Sequence, residues 1–180
     1  MIQASPRLEL LSRAGWDHHT PNLVRAIAHH ADLLDPFLGF ASALATRGAL
    51  PRRASELLAL RAAWNCRSEF EWGHHARYAR AAGLSDTEID AIPVGPAAPG
   101  WSEADRALLC AADELHEHKA ITEATWSALA SRWNAAQLIE IAFVVGQYTM
   151  LSMVAGALRV PLEEGLPRLP EDAAAAAQGS

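Results

Sequence analysis

One stretch in the first half of the chain places carboxylate and imidazole groups within an otherwise apolar sequence. Glu71 and His75 are four residues apart, so on a helix they share one face. Glu56 lies 19 residues before His75, and a helix break between positions 65 and 68 would let the two segments fold back against each other. Because an imidazole beside a carboxylate transfers protons near neutral pH, we expect His75 to carry the proton and Glu56 to fix its tautomer.

Other side chains near this pair have the chemistry to contact a substrate. The candidate catalytic residues are Glu56, His75, Glu71 and Ser68, and the candidate substrate-binding residues are His74, Trp72, Arg61 and Cys66. A guanidinium from Arg61, or from Arg77 if it faces the same pocket, would hold a substrate carboxylate.

Each of these residues also has a purely structural interpretation. Ser68 and Glu71 fit a capping box, in which both side chains satisfy backbone groups at the start of a helix. Glu56 can pair with a nearby arginine on a solvated face, and Trp72 can pack in the core. The capping and chemical roles of Ser68 and Glu71 are compatible, so the sequence leaves both open.

The elements that would position these groups are helices. Good helix formers fill the middle of the chain, helix-start signals recur, and no long run alternates apolar and polar residues. The expected helices span residues 21–32, 36–47, 51–65, 68–82, 85–91, 102–119, 122–131 and 134–159. Pro21 and Pro36 are placed in first turns, and Gly73 inside a helix indicates close approach by another segment or a ligand.

Composition indicates a compact all-α domain with an internal small-molecule site. Of 180 residues, 51% are hydrophobic and 20% charged, which excludes disorder for most of the chain. The net charge of -6 argues against nucleic acid or an anionic membrane as the main partner. Two widely separated cysteines form neither a zinc motif nor a secreted disulfide framework, so we expect a cytoplasmic protein.

The last predicted helix is exceptionally apolar. Residues 141–158 carry no charge and reach the length of a membrane span, but Gln147 and other polar residues interrupt them. We expect a helix that is covered by the core or by another subunit, and hence an oligomer rather than a membrane protein. We expect one domain over residues 1–170, with a surface loop at 92–100 and a mobile tail at 171–180.

The motif around His75 resembles the carboxymuconolactone decarboxylase and alkylhydroperoxidase D family. In the redox branch of that family, a Glu is followed after eleven residues by Cys, after two more by Cys, and after three more by His. Glu56 and His75 occupy the Glu and His positions here, whereas Ser68 and Glu71 stand where the two cysteines would be. The resemblance implies a helical bundle that assembles as a trimer or as a hexamer built from two trimers.

Without the two thiols, the resemblance favours the decarboxylase branch over dithiol peroxide reduction. It implies a cofactor-free lyase or isomerase that acts on a small carboxylated or lactone metabolite. A lone reactive thiol at Cys66 would instead give a peroxidase, and loss of catalysis would leave a binding module.

A metal-dependent oxidase is a further alternative. Its ligands would be two carboxylate and histidine pairs with carboxylates from two more helices, as in di-iron bundles. The residues concerned are Glu71, His74, Asp113, His116, Glu56 and Glu140.

Overall fold

The computed structural model describes residues 5–171, whose regular structure is entirely helical, so the predicted all-α class is confirmed. Eight α-helices follow one another, with a 3₁₀ turn at Gly95–Ala97 between the fifth and sixth. They are α1 (Asn22–Ile27), α2 (Ala31–Arg47), α3 (Arg52–Asn65), α4 (Glu69–Ala81), α5 (Asp86–Ala91), α6 (Glu103–His118), α7 (Glu123–Ala130) and α8 (Ala135–Leu158).

Helix α3 is the centre of the molecule. It packs against α4, α6 and α8, and every side chain from Ala54 to Ala63 is buried. A helix that is covered on all sides has no solvent face on which to place its charges. Glu56 and Arg61 are therefore buried with the apolar residues and must find partners inside the protein.

A tight reversal joins α3 to α4. Arg67 adopts a left-handed conformation with a φ of 53°, and its N–H donates to the carbonyl of Trp64. The N–H of Ser68 donates to the carbonyl of Ala63, which completes a Schellman motif. The predicted break at 65–68 is thus confirmed, and it turns α4 back along α3.

The first two helices differ from their predicted bounds. The chain turns at Ala28–His30, so α1 ends five residues earlier than expected and α2 begins at Ala31. Pro36 is inside α2, not in its first turn. An interior proline costs about 3 kcal/mol in general, but Leu34 is fully buried and anchors this part of α2 to the core.

Helix α8 presents a continuous apolar face to the outside. Ile139, Phe143, Met150 and Met153 are all substantially exposed, with Met153 at 66% and Phe143 at 50%. The helix is long and apolar enough to cross a membrane by length and composition, and 39% of its most apolar window is buried within the chain.

The chain after α8 returns across α4. Leu162 and the carbonyl of Pro167 approach Gly73 so closely that a Cβ there would lie 2.7 and 2.9 Å from them. The close approach expected at Gly73 is therefore made by this C-terminal segment. Apart from Glu171, the tail predicted to be mobile lies outside the described residues.

Candidate active site

Glu56 and His75 meet across the interface between α3 and α4. Their Oε2 and Nδ1 atoms are 2.7 Å apart, and the side chains are among the most buried polar groups of the described residues, at 1% and 4% residue exposure. The guanidinium of Arg52 lies 2.5 Å from the other oxygen of Glu56. This carboxylate therefore has a cation on each side.

Glu71 approaches the opposite side of the same ring. Its Oε2 is 3.6 Å from Nε2 of His75, so each ring nitrogen faces a carboxylate. Burial lowers the pKa of His75, but hydrogen bonding to Glu56 and Glu71 and their negative charges outweigh it and raise the pKa to about 9. At neutral pH the ring is an imidazolium, which can act as a proton donor.

Only half of the predicted capping box forms at the start of α4. The Ser68 hydroxyl accepts a hydrogen bond from the N–H of Glu71 at 3.3 Å, as expected of an N-cap. The N–H of Ser68 is used by Ala63 in the turn, so the Glu71 carboxylate does not close the box. Glu71 instead points towards His75, and its Oε1 is buried without a hydrogen-bond partner among the described residues.

A cavity of about 290 Å³ adjoins the pair and is called here the His75 cavity. Its polar lining comes from Glu71, His74, His75, Arg52, Gln147 and the two tyrosines Tyr78 and Tyr148, and the rest is mostly apolar. The volume is at the small end of the range for small-molecule sites, which is about 300–1,000 Å³. The site can therefore hold a small metabolite.

Tyr148 forms one wall of this cavity. Its ring centroid is 4.1 Å from that of His75 in an edge-on arrangement. Burial raises the pKa of Tyr148 well above its ordinary value, and the charges of Glu56 and Glu71 add to the effect. The phenol consequently stays protonated across the physiological range.

His74 lines the cavity beside His75 and connects it to the C-terminal segment. Its Nε2 is 2.7 Å from Oε2 of Glu163, and the other oxygen of Glu163 accepts the N–H of Asn22 at 2.7 Å. Partial burial raises the pKa of Glu163, but these hydrogen bonds lower it below its ordinary value.

Five predicted site residues do not line the His75 cavity, which corrects the sequence-based set. One of them, Glu56, still reaches the site through its contact with His75. Ser68 serves as the N-cap of α4, and Trp72 packs in the core at 6.0 Å from the ring of Trp64. Arg61 and Cys66 lie further along α3 than Glu56, where the helical rotation carries them away from His75.

Arg61 has a structural role that satisfies its charge. Its guanidinium forms two bonds to Asp113, of 2.6 and 2.9 Å, and donates to the carbonyl of Ile92 at 2.6 Å. These contacts hold α6 and the loop that begins at residue 92 against α3. The alternative carboxylate binder, Arg77, is exposed and does not line the cavity either.

Cys66 lies at a second cavity, of about 410 Å³, called here the Cys66 cavity. Its sulfur is 3.8 Å from Nδ1 of His116, and Lys119, Gly146 and Met150 also line the space. The thiol is half-buried and forms no disulfide with Cys110. A thiol next to an imidazole can be activated as a nucleophile, but this one belongs to a different site from His75.

The carboxylates proposed for a di-iron centre have separate partners. Asp113 binds Arg61, Glu56 binds Arg52 and His75, and Glu140 accepts the backbone N–H groups of Ala49 and Leu50. Within residues 5–171, the cluster whose ligand atoms lie close enough to share an ion is the exposed group Asp17, His18 and His19. The geometry thus gives the four-helix metal site no support.

Sequence patterns missed several groups that shape the His75 cavity. Gln147 and Tyr148 come from α8, more than 70 residues after His75, and Glu163 pairs with His74. Arg52, in contrast, is one of the nearby arginines expected to pair with Glu56, and it does so. Gln147 and Tyr148 are polar interruptions of the apolar stretch at 141–158. Such interruptions in a buried helix are a usable sign of a polar site.

These features define a helical protein with a buried acid–base pair at a small cavity, and comparison with known proteins shows which family it resembles. The profile of the carboxymuconolactone decarboxylase family matches residues 31–114, which include Glu56, Glu71 and His75. This segment of the chain is therefore similar to that family. A search of curated proteins finds no significant match.

Solved structures share the fold at low sequence identity. A peroxidase-related protein from Silicibacter sp. TM1040 has a TM-score of 0.74 and 19% identity, covering 88% of this chain and 92% of its own. A peroxidase-related protein with an alkylhydroperoxidase AhpD core, from Ralstonia eutropha JMP134, has a TM-score of 0.71 and 17% identity, with 79% and 77% coverage.

The debrominase Bmp8 has a TM-score of 0.71 and 19% identity, with 80% of this chain and 78% of its own covered. A C82A form of it was solved with 2,3,4-tribromopyrrole. The family and its structural neighbours thus include enzymes of several kinds, and the shared fold alone does not select one reaction.

Proposed function

We propose that this protein is a cofactor-free lyase or isomerase that transfers a proton on a small carboxylated or lactone metabolite. The observation that carries the proposal is the 2.7 Å contact between Glu56 and His75 at the edge of the 290 Å³ cavity. A buried, fixed imidazolium next to a substrate-sized space is suited to general acid catalysis.

The residues divide the proton work as follows. Glu56 accepts a hydrogen bond from the Nδ1–H group of His75 and holds the ring in place. The proton on Nε2 is therefore the one available for transfer. Donation from Nε2 to a carbon of an enolate or dienolate completes an isomerisation or follows loss of carbon dioxide. In an isomerisation Glu71, on the Nε2 side, takes the proton that the substrate loses and returns it to His75. After loss of carbon dioxide the substrate gives up no proton, so the ring regains its own from solvent. A positioned acid of this kind contributes about 10²–10⁴-fold to the rate.

The test is an NMR screen in deuterated buffer. Small lactones and β,γ-unsaturated acids are incubated with the protein, and deuterium incorporation, product signals and released carbon dioxide are measured. His75→Gln is expected to abolish turnover of any compound that reacts, while Arg80→Gln on the exposed side of α4 keeps it. An equal rate in His75→Gln would overturn the proposal.

A second candidate function is a thiol peroxidase at Cys66, favoured by the 3.8 Å contact with His116 and by the peroxidase-related neighbours. A hydroperoxide would oxidise the Cys66 thiolate to a sulfenic acid and leave as the alcohol, and an external thiol would then restore the cysteine. Consumption of cumene hydroperoxide with dithiothreitol, lost in Cys66→Ser but kept in His75→Gln, would support this activity. Equal consumption in Cys66→Ser would exclude it.

The proposal includes self-association through the exposed face of α8. That face is apolar at Ile139, Phe143, Met150 and Met153, and small residues at Ala142 and Gly146 allow a second copy to approach closely. A trimer or hexamer is expected in sedimentation experiments. Phe143→Glu should shift the protein to smaller species, whereas Ser127→Glu on α7 should not.

A further inference from the structure

Two oxygens at the His75 cavity have no partner of their own. Oε1 of Glu71 and Oε1 of Gln147 are buried and accept no hydrogen bond within the described part of the chain, and the two residues are 3% and 4% exposed. Both residues line the cavity. Leaving a buried polar group unpaired costs about 1–3 kcal/mol. Two such groups at one small cavity indicate acceptors that a ligand satisfies.

The charges at this cavity are already paired. Arg52 contacts Glu56, His75 lies between Glu56 and Glu71, and His74 contacts Glu163. Each arginine or histidine that lines the cavity therefore has a carboxylate partner. A carboxylate ligand would enter beside the unpartnered oxygen of Glu71 with no cation left to receive it, and a buried unpaired charge is strongly disfavoured.

The remaining walls are mainly apolar and aromatic. Leu23, Phe37, Phe70 and Leu151 line the space together with Tyr148. A ligand of this site is consequently apolar over most of its surface, and its polar part is confined to the side where α4 and α8 face each other. Gln147 is the contribution of α8 to that side.

From this arrangement we infer that the His75 cavity selects a neutral molecule that donates hydrogen bonds to Glu71 and Gln147, such as a hydroxylated lactone or enol, and excludes carboxylates. The inference rests on the proposed function in placing the substrate at the same cavity. It narrows the reaction to proton transfer within a neutral compound, because a substrate without a carboxylate has no carbon dioxide to lose. Gln147 then determines specificity without taking part in proton transfer.

Three probes of similar shape test the inference. These are 4-methylcatechol, a neutral phenol with two O–H donors, 4-methylanisole, which is neutral and donates none, and 4-methylbenzoate, which is an anion. Binding to the full chain at pH 7 is measured by NMR titration. The phenol is expected to bind about tenfold more tightly than either of the others, since tenfold corresponds to about 1.4 kcal/mol, within the cost of an unpaired polar group.

Variants assign the preference to the two oxygens. Gln147→Leu should reduce the phenol-to-anisole ratio several-fold, whereas Thr149→Val, on the same helix at the Cys66 cavity, should leave it unchanged. Glu71→Gln should raise the affinity for 4-methylbenzoate, because the negative charge that repels it is gone. Circular dichroism and the affinity for 4-methylanisole check that each variant keeps its fold and cavity.

The outcomes separate this inference from the proposed function. Equal or tighter binding of 4-methylbenzoate, binding of none of the probes, or an unchanged ratio in Gln147→Leu would overturn the inference, even if His75→Gln abolishes deuterium exchange. A phenol preference that depends on Gln147 would support it, even if no compound undergoes exchange and the proposed reaction fails.

Discussion

The His75 cavity and the Cys66 cavity each place an imidazole next to a second ionisable group, but their surroundings differ. His75 has a carboxylate at each nitrogen and is almost completely buried. Cys66 is half-buried, and its contact with His116 is a single one of 3.8 Å at the C-terminal end of α3. The first pair is held by several elements, and the second lies at the surface between α6 and α8.

Two glycines show the same contrast in packing. Gly73, next to His74 in α4, is closely covered by the C-terminal segment, whereas a Cβ at Gly146 in the Cys66 cavity would meet nothing within 4 Å. A preorganised site needs groups that are locked by their neighbours. The region around His75 meets this condition, and the region around Cys66 remains open unless a second subunit covers it.

The largest expected effect is the loss of the Glu56 carboxylate. Glu56→Ala leaves His75 and Arg52 without their shared partner, and breaking a buried ion pair in this way costs about 3–5 kcal/mol. Cys66→Ala should cost less than about 1 kcal/mol, because the side chain is small and half-buried. Urea unfolding followed by circular dichroism measures the free energy of unfolding of both variants. Similar losses of stability would show that the two cavities do not differ in how firmly they are held.

The stability of the protein should fall with rising pH because of His75. The pKa of this group is about 9 in the folded protein and near its ordinary value of 6.5 when unfolded. The stabilisation that the protonated His75 ring provides is fully present below pH 6.5. It is lost as the pH rises through 9, because the ring then loses its proton in the folded protein as well. Urea unfolding between pH 7 and 9 should show this decline in the wild type.

His75→Gln supplies the control, because a glutamine does not titrate. Its unfolding free energy should be nearly constant over the same interval. A flat profile in the wild type, or the same slope in the variant, would contradict the raised pKa.

Replacing Gly73 and Gly146 by alanine should change the stability of the protein in opposite directions. At Gly73 the added methyl group meets Leu162 and a backbone oxygen, and overpacking costs about 1–3 kcal/mol. At Gly146 the isolated chain has space, so the gain in helix propensity of up to about 1 kcal/mol dominates. Thermal unfolding of the two variants measures the difference, and stabilisation by Gly73→Ala would show that the C-terminal segment is loosely held.

Local sequence chemistry was sufficient to predict most of the helices. Ser85 and Glu88 form a capping box at the start of α5, and Ser102 and Thr122 cap α6 and α7. These contacts span three residues, so a short pattern specifies them. The start of α2 was predicted at Pro36 because proline favours the first turn of a helix. The helix begins five residues earlier, at Ala31, and the burial of Leu34 that anchors this turn depends on distant segments that no local pattern contains.

The candidate site was predictable where it depends on helix geometry and unpredictable where it depends on packing between distant segments. The spacing of Glu71 and His75 and the turn after Asn65 were enough to bring Glu56 to the ring. Arg61 was misassigned because its partner, Asp113, is 52 residues away on α6. Gln147 was noted only as an interruption in an apolar helix, since its place at the cavity follows from the packing of α8.

The smallest expected effect concerns the two thiols. Burial and the charges of Glu114 and Asp113 raise the pKa of Cys110, so less of it is thiolate at pH 8. Cys66 should therefore react with iodoacetamide about threefold or more faster than Cys110, which peptide mass spectrometry can follow over time. If a second subunit covers the α8 face beside Cys66, dilution should dissociate the oligomer and make Cys66 react faster still. Equal rates at all concentrations would show that neither the charges around Cys110 nor the openness of the Cys66 cavity controls thiol reactivity.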